Sequence, residues 1–167
     1  SVSRISRQKN IERLVRLASE LNGIVPVIHI GPSYDSAYKE IIDSLSHKNI
    51  YFLGQKENVT YALKKALCFV LTSDKEGLPI TCLEALANNL PIVSTDVGGI
   101  SQLIKGSNGV LVDINQNEES LVNDLKAGIE EMMSTYNTNL LISRKIYENE
   151  YSMESCGNKY LRLYQSA

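Results

Sequence analysis

Five short apolar runs alternate with longer segments of helical periodicity, and this alternation limits the possible folds more than any other feature of the sequence. The runs are rich in β-branched and aromatic residues and are bounded by Gly, Pro, Ser or Asp, which is typical of buried parallel strands: 24–31, 50–54, 67–72, 91–95 and 109–112. Segments 10–21, 36–45 and 59–66 carry apolar residues on one helical stripe, which predicts crossover helices. We therefore predict an α/β fold, a three-layer α/β/α sandwich with a mostly parallel sheet.

The C-terminal part of the chain follows a different pattern. No strand is predicted beyond residue 113, and three helical stretches follow at 118–133, 139–150 and 154–165. The 167 residues fit one hydrophobic core, so we predict a single domain over 1–167 with a helical tail at about 117–165. Residues 2–6 (VSRIS) would form a first strand, and because they begin with almost no lead-in we expect the chain to be a fragment of a larger protein.

Composition excludes several classes of protein. Seventeen Lys and Arg residues against nineteen Asp and Glu give a net charge of −2, which provides no global positive field for non-specific nucleic-acid binding. No apolar run approaches the length of about 20 residues that crosses a bilayer, and the first residues lack the apolar stretch of a signal peptide, so a cytoplasmic location is expected. Cys68, Cys82 and Cys156 are predicted to be buried reduced thiols, and His29 and His47 lack the spacing of a zinc site, so no metal is expected.

Ligands of an open parallel sheet bind beyond the carboxyl ends of its strands, and the loop over residues 73–79 is the richest of these loops in chemistry. Gly77 permits close backbone approach or a positive φ, and Pro79 suits the first position of the following helix. Glu84 is an isolated carboxylate in an otherwise apolar helix, so it must either face water or receive hydrogen bonds. Together with Glu76 it can flank one crevice and accept hydrogen bonds from the vicinal hydroxyls of a sugar. The alternative is a solvated face of an ordinary helix.

Cations bracket the turn that leads from residues 2–6 into the first helix. Arg4 offers a planar, bidentate fork and Lys9 a compact point charge, a combination that suits adjacent phosphates above a helix N-terminus. Arg7 can share or replace either role. The alternative is a set of solvated basic side chains.

Three further features allow two interpretations each. Gly98-Gly99 either presents amides to a ligand or allows close strand-to-helix packing. His29 alternates with apolar residues inside a strand and is predicted to be a hydrogen-bonded core histidine rather than a general base. The tyrosines of the tail are predicted to pack against the sheet or against a missing part of the protein, rather than to stack on a nucleobase: Tyr147, Tyr151, Tyr160 and Tyr164.

The stretch EGLPITCLEALANNLPIVSTDVGGI at 76–100 carries two glutamates separated by seven residues, followed by EALA, PIV and DVGG. It resembles the signature of the group 1 retaining glycosyltransferases, which have a GT-B architecture of two Rossmann-like domains with a cleft between them. Further segments resemble family motifs in the same order: SRISRQKN at 3–10, IHIG at 28–31, IYFLG at 50–54 and YSMESCGNKYLRLY at 151–164. The resemblance covers nearly the whole chain and implies the C-terminal, donor-binding domain, which is Rossmann-like.

The resemblance also implies roles for individual residues. In the family, two cations hold the diphosphate, the second glutamate holds the ribose, the first glutamate and nearby backbone amides hold the donor sugar, and the loop after the IYFLG strand seats the base. Carried over by position, these are Arg4 and Lys9 for the diphosphate, Glu84 for the ribose, catalytic Glu76 with Gly77, Leu78 and Pro79 for the sugar, and Gly54 and Gln55 for the base. The resemblance implies no cofactor and no metal, with a UDP- or GDP-sugar as donor substrate.

The sequence departs from the family pattern at three places. Ser3 stands where the family has Gly, which reduces the room of the backbone beside the phosphates. Asn89 stands where the family usually has a Gly that ends the helix, and since Asn tolerates the left-handed conformation we expect the cap to survive. The turn after IHIG continues as Pro32-Ser33-Tyr34 where the family often has Asp-Gly.

The resemblance implies the donor-binding half of a hexosyltransferase that acts in glycan, lipid or polysaccharide biosynthesis. Its partners would be the nucleotide sugar and the N-terminal domain of the same full-length protein, with membrane contact only through that domain. The isolated chain is expected to bind the donor weakly and to transfer nothing. Two alternatives stay open: a non-catalytic interaction module, which would not need all four of Arg4, Lys9, Glu76 and Glu84, and a nucleotide-sugar epimerase, which lacks this spacing of glutamates.

Overall fold

The computed structural model describes residues 1–45 and 48–165, with the side chains of 137–140 left out, so His47 lies outside the described residues. Its strands are β1 (Val27–His29), β2 (Ile50–Phe52), β3 (Phe69–Leu71), β4 (Ile92–Thr95) and β5 (Gly109–Val112). Its helices are α1 (Ile11–Glu20), α2 (Ser36–Ser44), α3 (Thr60–Lys65), α4 (Ile80–Ala87), α5 (Glu118–Ser134), α6 (Tyr136–Ile146) and α7 (Met153–Gln165). The five predicted strands and the crossover helices are confirmed, with the strands β1 to β3 shorter than predicted.

All strand pairs are parallel and fall into two sheets. β1 pairs with β2, in a register that sets Val27 opposite Ile50. β4 lies between β3 and β5, with Ile92 opposite both Phe69 and Gly109. This arrangement confirms the predicted parallel α/β architecture.

The predicted first strand at 2–6 is only partly formed. Two isolated parallel bridges join Val2 to Ile30 and Ile5 to Ser33. The Ser3 amide donates to the Ile30 carbonyl at 3.0 Å and the Ile5 amide donates to the Pro32 carbonyl at 2.8 Å. Pro32 has no N–H to donate in return, which interrupts the ladder between the two bridges. The sequence segment therefore pairs as predicted in direction but does not form a continuous strand.

Two apolar clusters cover the two faces of the β3–β5 sheet. Val70 and Val93 face the cluster that contains the buried stripes of α1 and α5. Their neighbours Phe69, Leu71 and Ile92 face the other cluster, which includes the apolar side of α4. Because alternate residues of each strand enter opposite clusters, the strands are buried on both faces, as the three-layer prediction requires.

Three helices, α1, α2 and α5, begin at side-chain caps that the sequence supplies. The side chain of Asn10 accepts from the Arg13 amide, that of Asp35 from the Tyr38 amide, and that of Asn117 from the Ser120 amide. These caps satisfy amides that have no partner within the helix.

The tail is helical, as predicted, but its middle differs. α6 begins at Tyr136, and the chain then forms a π-helix over Tyr147–Tyr151 instead of continuing as an α-helix to residue 150. No residue of α7 is buried. Within the described part of the chain, no helix has the length and apolar character that spanning a membrane requires.

Candidate functional site

The loop that follows β3 is fixed by hydrogen bonds to the end of β4 and to the turn that precedes α1. The Thr95 hydroxyl at the end of β4 donates to the Ser73 carbonyl at 2.6 Å. The Asp74 amide donates to the Gln8 carbonyl at 2.9 Å, and the Gln8 side-chain amide donates to the Lys75 carbonyl at 2.8 Å. The loop is therefore held against the turn that precedes α1, at the carboxyl ends of the strands where open α/β sheets bind ligands.

Lys9 and Glu76 are brought into direct contact at this place. Lys9 Nζ lies 2.6 Å from Glu76 Oε1, and the Ser73 hydroxyl donates to the same oxygen at 2.6 Å. The Lys9 side chain is 15% exposed and that of Glu76 is 5% exposed. A cation and a carboxylate so shielded from water interact more strongly than a surface pair. The two residues that the sequence pointed to independently thus form one polar centre.

The Lys9 turn depends on a residue in a rare backbone conformation. Asn10 has φ 45° and ψ 60°, the left-handed region, and its side chain caps α1. Its side-chain amide donates to both carboxylate oxygens of Asp74 at 3.1 Å. The turn that carries Lys9 is thereby tied to the loop that carries Glu76.

The Gly98-Gly99 turn after β4 packs against the backbone of the same loop. The Gly99 amide donates to the Gly77 carbonyl at 2.7 Å. Gly98 has φ +60°, and a Cβ built there would lie 2.1 Å from the Glu76 carbonyl oxygen. Of the two interpretations of this turn, the structure supports close packing, and the packing partner is the loop rather than a helix. Gly77 itself does not have a positive φ, so its use lies in its carbonyl.

Glu84 lies on the exposed side of α4, away from the apolar side that enters the core. It lines a hollow of about 490 Å³ between α3, α4 and the π-helix, together with Asn58, Thr60, Tyr147 and Tyr151. The walls of this hollow do not include Lys9 or Glu76. Glu84 and Glu76 therefore do not line the same hollow.

The helix α4 begins and ends as its sequence dictates, with one small shift. Pro79 takes the N-cap position rather than the first helical position. At the other end, Asn89 has φ 68°. The Asn89 amide donates to the Leu86 carbonyl, and the Leu90 amide donates to the Ala85 carbonyl at 2.9 Å. These two bonds are a Schellman cap, so the prediction that Asn89 preserves the helix end is confirmed.

The remaining candidate residues lie at the ends of other strands. Gly54 follows β2 with φ +65°, and its carbonyl accepts from the Gly31 amide at 3.0 Å. Gln55 and Arg4 are exposed, and Leu78 is half-exposed beside Gly99. The structure leaves these side chains accessible at the loop ends, without a direct contact that joins them to Glu76.

A buried arginine that the sequence analysis missed connects the parts of this site. Arg13 is 5% exposed, and its guanidinium donates to both oxygens of Glu118, to the Thr72 carbonyl and to Asp74. Burial alone would lower the pKa of Arg13, but the hydrogen bonds and charges of Glu118 and Asp74 outweigh it and raise that pKa. The only sequence signal was a charged residue among the buried positions of α1.

The Cys82 thiol has no exposed surface. Burial, reinforced by the Glu76 carboxylate, raises the pKa of the Cys82 thiol, which stays neutral. Cys68 and Cys156 are only partly buried. The prediction of buried, reduced thiols is therefore fully confirmed for Cys82, whereas burial is only partial for the other two. All three cysteines are free.

His29 is a core histidine, as predicted, but not a hydrogen-bonded one. It is 1% exposed and packs edge-on against the Phe52 ring at 5.4 Å. Neither ring nitrogen reaches a described partner in hydrogen-bonding geometry, although the Ser3 backbone lies close by. Burial, with a smaller contribution from the N-terminal charge, lowers the pKa of His29 to about 3.

Of the tail tyrosines, Tyr147 and Tyr151 pack against the apolar cluster beside α4, as predicted. Tyr160 and Tyr164 on α7 are 65% and 79% exposed, so they do not pack against the sheet, and their packing against a missing part of the protein stays a prediction.

Three comparisons place the chain among known proteins. The family model for glycosyl transferases group 1 matches residues 1–143. The O-antigen biosynthesis glycosyltransferase WbnH of Escherichia coli is 33% identical over 118 residues, which are 70% of this chain and 33% of WbnH.

Two solved structures share the fold. HepE of Anabaena in complex with UDP superposes with a TM-score of 0.84 at 20% identity, over 99% of this chain and 48% of HepE. The pneumococcal O-GlcNAc transferase GtfA, in complex with UDP and GlcNAc, superposes with a TM-score of 0.79 at 21% identity, over 98% of this chain and 34% of GtfA. The chain spans less than half the length of each of these relatives.

Proposed function

The chain belongs to the group 1 glycosyltransferases, and from that membership we propose that it forms the donor-binding half of a retaining enzyme. The full enzyme would break the bond between the anomeric carbon and the diphosphate of a nucleotide sugar and bond that carbon to an acceptor hydroxyl, with its configuration kept. The proton of the acceptor hydroxyl passes to the departing diphosphate, and the nucleoside diphosphate is the second product.

The contact between Lys9 and Glu76 carries this proposal. Lys9 Nζ lies beside the loop that leads into α4, where a diphosphate would find both a cation and the positive end of a helix. A bound diphosphate would compete with Glu76 for Lys9. Both contacts to Glu76 fall on Oε1, so Oε2 can accept a hydroxyl of the donor sugar. Glu76 is thus proposed as the residue that orients the sugar over its leaving group.

Glu84 is proposed to hold the ribose. Its carboxylate stands in the hollow beside α4, whose walls offer the aromatic side chains of Tyr147 and Tyr151 and the polar side chains of Asn58 and Thr60. A ribose presents two adjacent hydroxyl donors, which one carboxylate can accept. The exposed loop at Gly54 and Gln55 is the proposed seat of the base.

No metal is needed in this proposal, since positive charge is supplied by the chain. Lys9, exposed Arg4 and the first amides of α4 would stabilise the negative charge that develops on the departing diphosphate. The fold neighbours HepE and GtfA were solved with UDP, and WbnH is named for O-antigen biosynthesis. These names favour a UDP-sugar, with a GDP-sugar as the next choice, and an acceptor in glycan or polysaccharide biosynthesis.

The proposal is tested by titrating UDP, UDP-glucose, GDP and GDP-mannose into the chain by calorimetry. Wild type is expected to bind one nucleoside diphosphate, and its sugar conjugate more tightly. Lys9→Met removes a charged contact and should weaken the binding of both the diphosphate and its sugar conjugate about 10- to 100-fold. Glu76→Gln should strengthen diphosphate binding, because it removes the charge that competes for Lys9, and should abolish the gain in affinity from the sugar.

Lys39→Met provides the matched control. Lys39 pairs with Asp43 on the exposed face of α2, outside the site, and its loss should change no affinity. Absence of binding to all four ligands at millimolar concentration would overturn the proposal and favour a non-catalytic interaction module.

A further inference from the structure

Arg13 lies at a junction of three elements that build the proposed donor site. It belongs to the first turn of α1, directly after the Lys9 turn. Its Nε and Nη2 donate to the two carboxylate oxygens of Glu118 at 2.9 Å each, and Glu118 opens α5. Its Nη1 donates to the Thr72 carbonyl at 2.8 Å and to Asp74 at 2.9 Å.

The bonds to Thr72 and Asp74 fix the beginning of the loop that carries Glu76. Thr72 is the last residue before that loop, and its hydroxyl donates to the Lys9 and Asn10 carbonyls at 3.1 Å. Asp74 receives bonds from both Arg13 and the Asn10 side chain. The position of Glu76 relative to Lys9 is therefore set by a network whose centre is the Arg13 guanidinium.

A role in stability alone does not explain the choice of residue. Buried ion pairs contribute little net stability compared with apolar residues of similar size. Four of the five N–H donors of Arg13 form hydrogen bonds, and their directions require the planar guanidinium group. Lysine has the charge but cannot bridge Glu118 and the Thr72 carbonyl with this geometry.

We propose that Arg13 is a positioning residue of the donor-sugar site, which holds the Thr72–Glu76 segment in the register that lets Glu76 meet the sugar while Lys9 meets the diphosphate. Arg13 acts through the loop and touches no substrate, since its side chain is 6% exposed and four of its five N–H donors bond to protein partners. This inference rests on the proposed function.

The test compares Arg13→Lys and Arg13→Gln with the matched control Arg16→Lys, an exposed arginine one turn further along α1. Affinities are measured for the nucleoside diphosphate and for its sugar conjugate, with the pair that binds wild type. Arg13→Lys is expected to weaken the sugar conjugate at least about tenfold and the diphosphate less than about threefold. A residue with only a structural role would weaken both equally or neither.

A double substitution tests whether Arg13 acts through Glu76. In a Glu76→Gln background, Arg13→Lys should lower the affinity for the sugar conjugate by less than a further factor of about two, because the contact that Arg13 supports is already lost. Full additivity of the two changes would overturn the inference.

Hydrogen exchange gives an arm that does not depend on a ligand. In Arg13→Lys, the Asp74 amide and the Gly99 amide, which bond to Gln8 and Gly77, should exchange about tenfold faster, while the amides of β4 keep their wild-type rates. Unchanged exchange at Asp74 overturns the inference. If the wild-type chain binds none of the ligands, the proposed function is overturned, and the role of Arg13 in donor binding with it. If the wild type binds and Arg13→Lys has the same affinities, the inference alone is overturned.

Discussion

Replacing Gly98 with alanine would press on the loop that carries Glu76, and the structure allows the cost to be worked out. Gly98 has φ +60°, a conformation that costs an alanine about 1 kcal/mol. The added Cβ would lie 2.1 Å from the Glu76 carbonyl oxygen, which is backbone and cannot rotate away. Overpacking of this kind costs a further 1–3 kcal/mol or so, about 2–4 kcal/mol in all.

Gly106→Ala is the matched control for this change. Gly106 also has a positive φ, +70°, but a Cβ there meets nothing within 4 Å. Its cost is therefore the conformational part alone, about 1 kcal/mol. For a chain of this size each kcal/mol lowers the Tm by about 2–4 °C.

Thermal unfolding followed by circular dichroism should then separate the two variants. We expect a fall in Tm of about 2–4 °C for Gly106→Ala and of about 4–16 °C for Gly98→Ala. Gly98→Ala should also weaken binding of the nucleotide sugar, because relief of the clash displaces Glu76. Equal Tm values for the two variants would refute the reasoning, since they would show that the turn and the loop are not in contact.

Two other predictions concern the buried histidine and the cap of α4. The pKa of His29 is lowered from 6.5 to about 3 in the folded chain, so below pH 6.5 the unfolded chain binds more protons and the free energy of unfolding decreases as the pH is lowered. In urea melts at pH 7.5 and pH 5, His29→Phe should therefore lose less stability on acidification than wild type. Equal losses would contradict the lowered pKa of His29. Asn89→Ala should lower the free energy of unfolding by about 1 kcal/mol, because the Asn89 backbone is in the left-handed conformation. Asn89→Gly should change the free energy of unfolding by less than about 0.5 kcal/mol. Equal effects of the two substitutions in thermal melts would show that the cap does not need this conformation.

The alternation of strand and helix was readable from the sequence because it depends on short-range patterns. Buried strands read as continuous β-branched runs, and crossover helices show one apolar stripe, so both were located within a few residues. The broken first strand was not anticipated, because the interruption arises from Pro32, which is far in sequence from its hydrogen-bond partner Ile5. The π-helix at Tyr147–Tyr151 was likewise missed, since one extra residue per turn leaves no distinct periodicity.

The candidate site was only partly readable, and the reason is sequence separation. Glu76 and Lys9 were found by residue type and by motif, and the structure joins them. Arg13 and Glu118 are 105 residues apart, and nothing in the sequence indicated that they pair, because each is a single charged residue in its own helix. The hollow beside Glu84 depends on the π-helix tyrosines, whose placement follows from tertiary packing of the tail.

The most direct test of the account is a crystal structure of this chain with the nucleotide sugar that binds it. The account predicts that Lys9 Nζ leaves Glu76 to contact the diphosphate, that Glu76 accepts a hydroxyl of the sugar, and that Glu84 accepts the ribose hydroxyls. A ligand bound elsewhere, with the contact between Lys9 and Glu76 intact, would contradict it.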